Sequence, residues 1–440
     1  MRKIYILLAA LFIATACDSD LDQAPPNLAS ADSLTDFSGV LNAAYYYQLG
    51  SVTPLAVMGE FRSDNAVMDE APYTEFDVFT ANLTTMEDQF FGPLYTAMYK
   101  SILSANNVIE NSTDATEIAE AKFLRALSYY KLVKSFGAVT VNLEASPSLT
   151  DTSILARVPA MDVYNNVVIP DLNDAISALS TTITNGRASK FAAQALLGKV
   201  YAAMGNYASA ASSLGAVVNG ASAAGISLEA NFSDVFGFAN EGNSEIIYAT
   251  QVSSSIVDEY GFGSDFWNWF VGDDSKADFP VDSDLVAAFD ASDATGATDL
   301  RRAVTLDAAG TTAIKFPKDG GNGGEHDWIE IRLGDVILLY AEALNENGDT
   351  AGALTQLNKI RNRAGLANST ATSQADVRTA ILNERRLELA FEGHRWDDLV
   401  RTNTVDAEMG TTVNSNYYLF PIPISEILAT GGVITQNAGY

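Results

Sequence analysis

Two of the chain's four tryptophans stand two residues apart in Asp258-Glu259-Tyr260-Gly261-Phe262-Gly263-Ser264-Asp265-Phe266-Trp267-Asn268-Trp269-Phe270. Aromatic faces stack on the C–H surfaces of neutral sugars, and planar polar side chains bond the hydroxyls. Tyr260, Trp267, Trp269 and Asn268 supply both kinds of group. In an extended segment Trp267 and Trp269 would point to the same side. The stretch lacks helical periodicity and is broken by Gly and Asp, so it reads as a loop. A buried aromatic cluster accounts for the same residues, and both readings stay open. A second set lies between Phe61 and Phe79. Arg62, Asp64 and Asn65 offer bidentate polar groups, and Tyr73 and Phe76 offer faces. A structural turn held by Asp64 is the alternative there. A third candidate is Trp328, which follows Gly320, Gly321, Gly323 and Gly324. So many glycines predict a loose loop rather than a rigid site.

Catalytic chemistry has little to stand on. The chain has two histidines and one cysteine. It carries no H-E-x-x-H, no G-x-S-x-G and no P-loop. Glycoside hydrolysis needs only two carboxylates. With 55 acidic residues some pair is inevitable, so acidic abundance proves nothing. Asp290 to Asp299 is Asp-rich but lacks the alternating spacing of a calcium loop. The expectation is therefore a binding protein that is not an enzyme, with no metal and no cofactor. The formal net charge of −29 disfavours nucleic acid and anionic lipid as partners.

The N-terminus predicts an address. Arg2 and Lys3 precede an apolar run from Ile4 to Ala14, then Thr15-Ala16-Cys17. This is a charged region, a short apolar region and a small-residue cleavage site. The run is too short to span a bilayer as a helix. Cys17 is the only cysteine, so no disulfide can form within the chain. The pattern resembles a bacterial lipobox, with Ala14 where Leu is usual, and that resemblance implies lipidation of Cys17. Residues 1–16 are read as the lipoprotein signal peptide. Residues 17–30, with Asp18, Asp20, Asp22 and Pro25-Pro26, are read as a flexible tether.

The candidate site residues need a scaffold, and its pattern is helical. Ala192 to Asn219 carries Leu197-Gly198, Tyr201, Gly205, Tyr207, Ala210 and Leu214, the spacing of a tetratricopeptide repeat. The spacing recurs in Ala341, Leu344, Gly348, Ala353 and Leu357. Looser helices are read over Glu117 to Phe136 and Met161 to Leu179, with an earlier one from about Met86 to Glu110. The predicted fold is mostly α: a tetratricopeptide-like helical repeat platform with a loop-rich, irregular ligand-binding region. Residues 31–440 are read as one domain, with repeats near 117–180, 190–220 and 331–365.

One more stretch stands out, from Asn383 to Arg401. Val377, Ile381, Leu382 and Leu389 form an apolar stripe leading into it. Arg385, Arg386, Glu388 and Glu392 are spaced to pair three or four residues apart along the helix. A packing helix fits this pattern; a ligand role for His394, Arg395 or Trp396 is the alternative. The stretch closely resembles the C-terminal signature of the SusD/RagB family. Glu60-Phe61-Arg62-Ser63-Asp64-Asn65, Phe279 to Leu285, Ile331 to Gly365 and Leu419 to Pro423 extend the resemblance along nearly the whole chain. It implies a surface lipoprotein of the outer membrane that binds an oligo- or polysaccharide without catalysis. It also implies a TonB-dependent, SusC-like transporter as partner, with contact to the membrane only through the lipid anchor. The alternatives are capture of peptides or other nutrients by the same fold, and a repeat-based assembly scaffold.

Overall fold

Two helical hairpins with the same turn chemistry set the frame. In the computed structural model, residues 36–148, 151–253, 266–271, 278, 280–293, 297–316 and 326–440 are described, without the side chain of Trp267. The expected signal peptide, tether and Cys17 lie outside these residues, as do Tyr260 and Gly320 to Gly324. Ten helices carry the argument: α1 (Ser38–Tyr46), α2 (Val52–Phe61), α3 (Gly92–Asn111), α4 (Ala115–Phe136), α5 (Ile169–Ala178), α6 (Lys190–Ala203), α7 (Tyr207–Gly220), α8 (Leu333–Glu346), α9 (Thr350–Arg363) and α10 (Gln374–Leu389). Ser189, Asn206, Asp349 and Ser373 cap α6, α7, α9 and α10 by accepting a backbone N–H from the first turn.

The turn between α6 and α7 passes through Gly205 at φ 71°, and that between α8 and α9 through Gly348 at φ 86°. Both glycines face open space, so backbone conformation is what demands them. Gly198 answers a different need. A Cβ there would meet the Leu214 side chain at 2.4 Å, so its absence lets α6 and α7 approach. α7 then packs on α8, and α4 packs with α3 and α5. The predicted helix from Met161 carries a wider π turn at Tyr164–Val168, one residue short of Pro170, which cannot donate a backbone hydrogen bond.

Among the described residues, two small antiparallel sheets complete the frame. β1 (Val139–Thr140) pairs with β2 (Arg157–Val158), and β3 (Ile246–Thr250) pairs with β4 (Trp328–Arg332). β3 is buried at every position, which explains its continuous apolar run.

The stretch from Asn383 binds the layers together through charge. Arg332 is 1% exposed. It donates to Glu392 at 2.7 Å, Glu245 at 2.8 Å and Glu388 at 2.7 Å. Arg301 grips Asp299 at 2.9 and 2.7 Å and pairs with Glu384 at 2.7 Å. Arg385 pairs with Asp335 and Asp398, both at 2.9 Å. Lys315 donates to the Glu388 and Ala390 carbonyls and to Glu392. The expected spacing along one helix is thus corrected. Arg385, Glu388 and Glu392 face inward and pair with other elements, because those elements bring counter-charges into an otherwise dry core.

α2 crosses the turn at Gly393 at backbone contact. A Cβ on Gly59 would lie 2.4 Å from the Gly393 carbonyl oxygen. Backbone cannot swing aside as a side chain tip does, so Gly59→Ala is expected to cost about 3 kcal/mol or more. Equilibrium urea unfolding checks this; a loss under about 1 kcal/mol would mean the crossing is looser than drawn.

Candidate functional site

The residues singled out in sequence do converge, but largely in the core. Phe266–Trp269 forms a 3-10 turn. Trp269 is fully buried, with its ring 5.2 Å from Tyr73 and 5.3 Å from Phe90 in edge contacts. Trp328 is 4% exposed, edge-on to Phe266 at 5.0 Å. The Trp269 ring offers no face to a ligand, and Trp328 reaches only the wall of a small internal cavity of about 60 Å³. Of the two open readings, the buried cluster describes Trp269, and the ligand-contact candidate Trp328 is corrected likewise: aromatic partners from distant segments draw these rings inward. Asn268 and Tyr73 are half-buried at the edge of the cluster.

Arg62, Asp64 and Asn65 are buried too, and apart from the Arg62 Nε their polar groups are committed. Arg62 donates to the carbonyls of Phe76 at 2.6 Å and Tyr417 at 3.2 Å, beneath the Phe79 ring. Burial pushes its guanidinium down to about 10. Asp64 takes a bidentate pair from Arg395, both bonds 2.7 Å. Asn65 donates to Glu60 at 2.9 Å and accepts from Arg386 at 3.0 Å. Asp64 and Asn65 fasten this turn to the stretch at 386–395, and Arg62 ties it to residues 76 and 417, so the structural alternative describes its geometry. Burial likewise pushes His394 down to about 3, which leaves the imidazole neutral.

Glu60 gives this fastening a pH dependence. Burial raises its carboxyl from 4.5 to about 7, against the opposing hydrogen bonds from Asn65 and the Phe391 and Gly393 amides. Between those two values the folded chain holds a proton that the unfolded chain has lost. Stability from this group is therefore present below pH 4.5 and is lost as pH rises through about 7, by about 3 kcal/mol in total. We expect Glu60→Gln to flatten the fall in unfolding midpoint between pH 5 and pH 8. Identical slopes in variant and wild type would show that other groups set the dependence.

An accessible groove lies elsewhere, where α1, the 183–187 turn and β3 meet. It measures about 280 Å³, and its described lining includes Asn42, Tyr45, Tyr46, Arg187, Tyr248 and Gln251. The Arg187 guanidinium sits 4.5 Å from the Tyr45 ring centroid. It pairs with Glu120 at 2.7 Å and donates to Asn42 at 2.9 Å. The Tyr45 hydroxyl donates to Glu120 at 2.5 Å and accepts the Ala188 N–H at 2.9 Å. Burial raises both Tyr45 and Glu120. Arg187 and Glu120 cancel, so the groove combines aromatic surface, planar amides and no net local charge. The three consecutive tyrosines from Tyr45 to Tyr47 were the available sign, because one helix stripe cannot bury all three.

From Gln251 the chain runs on toward residues 254–265, which include the candidate Tyr260. Among the described residues no group of three or more His, Cys, Asp or Glu is placed to hold a metal ion. None of the described helices is long and apolar enough to cross a membrane.

Comparison with known proteins fits this architecture. Residues 311–412 match the SusD family, and residues 17–202 match a family described as starch-binding, associating with outer membrane. The chain belongs to the SusD/RagB family. It is 27% identical to SusD-like protein P2 of Formosa agariphila, with both chains covered in full. A solved laminarin binding SusD-like protein is 27% identical, with a TM-score of 0.73 over 92% of this chain and 99% of that one. The starch-binding protein SusD of Bacteroides thetaiotaomicron is 35% identical over 121 residues, 25% of this chain and 21% of that one.

Proposed function

We propose that this chain is a non-catalytic glycan-binding lipoprotein, anchored through Cys17 at the outer-membrane surface. It captures a neutral oligo- or polysaccharide and passes it to a TonB-dependent, SusC-like transporter. The observation that carries the reading is the groove at Tyr45, Tyr46, Asn42 and Gln251. Tyr46 supplies a ring face and the amides supply hydroxyl partners, while the Arg187–Glu120 pair removes net charge. The relatives that bind laminarin and starch make neutral glucans the first ligands to try.

Affinity electrophoresis tests it, using residues 17–440 with Cys17→Ala against laminarin, starch and an anionic polysaccharide. Neutral glucan is expected to retard the wild-type side chains. Tyr46→Ala is expected to weaken binding by about tenfold or more, in line with loss of a central aromatic contact. Retardation by no polysaccharide would end the glycan reading and turn attention to peptides.

A further inference from the structure

The groove does not stop at Gln251. A second chamber of about 220 Å³ adjoins it, with Thr184, Asn185, Gly225 and Ser244 in its described lining. Gly186, Tyr248 and Ala249 line both chambers. The two therefore adjoin along β3, with Gly186 at their junction. The Gln251 carboxamide packs directly on that glycine, since a Cβ on Gly186 would meet its Cδ and Oε1 at 2.3 Å. Any side chain at position 186 would thus push the carboxamide from its place at the junction. Neither chamber alone reaches the ~300–1,000 Å³ usual for a small-ligand cleft, whereas the two joined do.

Resting on the glycan reading above, we infer that the two chambers form one elongated site for an internal stretch of a polysaccharide chain. Gln251 is the specificity-determining residue at their junction. The first chamber is the aromatic one, with Tyr45 and Tyr46. The second is built from turns and offers small and polar groups. Asn185 and Thr184 are exposed on its rim. Gly225, at φ 77°, has nothing within 4 Å of where a Cβ would stand, so its turn leaves the space open. A short oligosaccharide fills the tyrosine chamber. A longer one passes over the Gln251 amide where it lies on Gly186, bonds it through its hydroxyls, and gains contacts in the second. Selection is thus for chain length.

The test is isothermal titration with size-graded neutral gluco-oligosaccharides, β-1,3- and α-1,4-linked. Wild-type affinity is expected to rise by about tenfold once chains are long enough to enter the second chamber. Thr184→Trp, filling that chamber from its exposed rim, should abolish this gain and leave the shortest binding oligomer unaffected. Gln251→Ala should reduce the gain in the same length range. Asn185→Trp serves as a second block if Thr184→Trp shifts the unfolding midpoint. Equal affinity at every length, or a gain that survives both tryptophan blocks, overturns the two-chamber site while leaving glycan binding in place. Absence of binding at all lengths overturns both readings.

Discussion

Arg332→Met unfolds at markedly lower urea than wild type, with about 3–5 kcal/mol of stability lost. The reason is the company Arg332 keeps. Its guanidinium answers Glu245, Glu388 and Glu392 at once, all essentially without solvent contact. Methionine fills most of the volume but leaves those carboxylates short of positive charge, with Arg301, Arg363 and Lys315 as the remaining cations. The loss is therefore dominated by stranded charge rather than by a cavity. A control separates the two kinds of ion pair. Arg378 pairs with Glu346 at 2.6 Å, but its side chain is 43% exposed. Arg378→Met is expected to change stability by under about 1 kcal/mol. Similar losses in the two variants would show that the buried network carries no special weight.

Trp269→Ala should cost a similar amount, about 3–5 kcal/mol, for a different reason. The indole is enclosed by Tyr73 and Phe90, next to Phe61 stacked on Phe270 at 5.1 Å. Truncation opens a cavity that these rings cannot collapse to fill. Binding to neutral glucan, measured well below the variant's unfolding midpoint, should persist within about twofold, because the ring faces no groove. Loss of binding with unchanged stability would instead return Trp269 to the ligand surface.

These two residues also show where the sequence is readable. Helix positions follow from apolar spacing and from caps such as Ser189, Asp349 and Ser373, all local signals. The paired hairpins follow from Gly205 and Gly348 for the same reason. Charge direction does not. Glu388 at helical spacing looks the same whether it faces water or Arg332, and the answer comes from β4, some fifty residues earlier. The tryptophan pair misleads similarly. Gly and Asp around it do mark irregular backbone, but which way Trp269 points is decided by Tyr73 and Phe90, almost two hundred residues away. The Tyr45 groove draws on residues near 42, 187 and 249, so no single window contains it. β3, buried throughout, shows no alternation to mark its role as the floor.

The charge network has a consequence for the order in which the chain closes. Its cations at 301, 315, 332 and 363 all precede the carboxylates at 388 and 392 that they share. A chain emerging N-terminus first holds these cations with Glu245 and Asp299 for company until its last tenth or so arrives. Burying them earlier would strand charge, so the core stays open until then. Final closure is thereby tied to arrival of Glu388 and Glu392. A fragment ending at Arg378 should be cut by protease throughout, where the full chain resists.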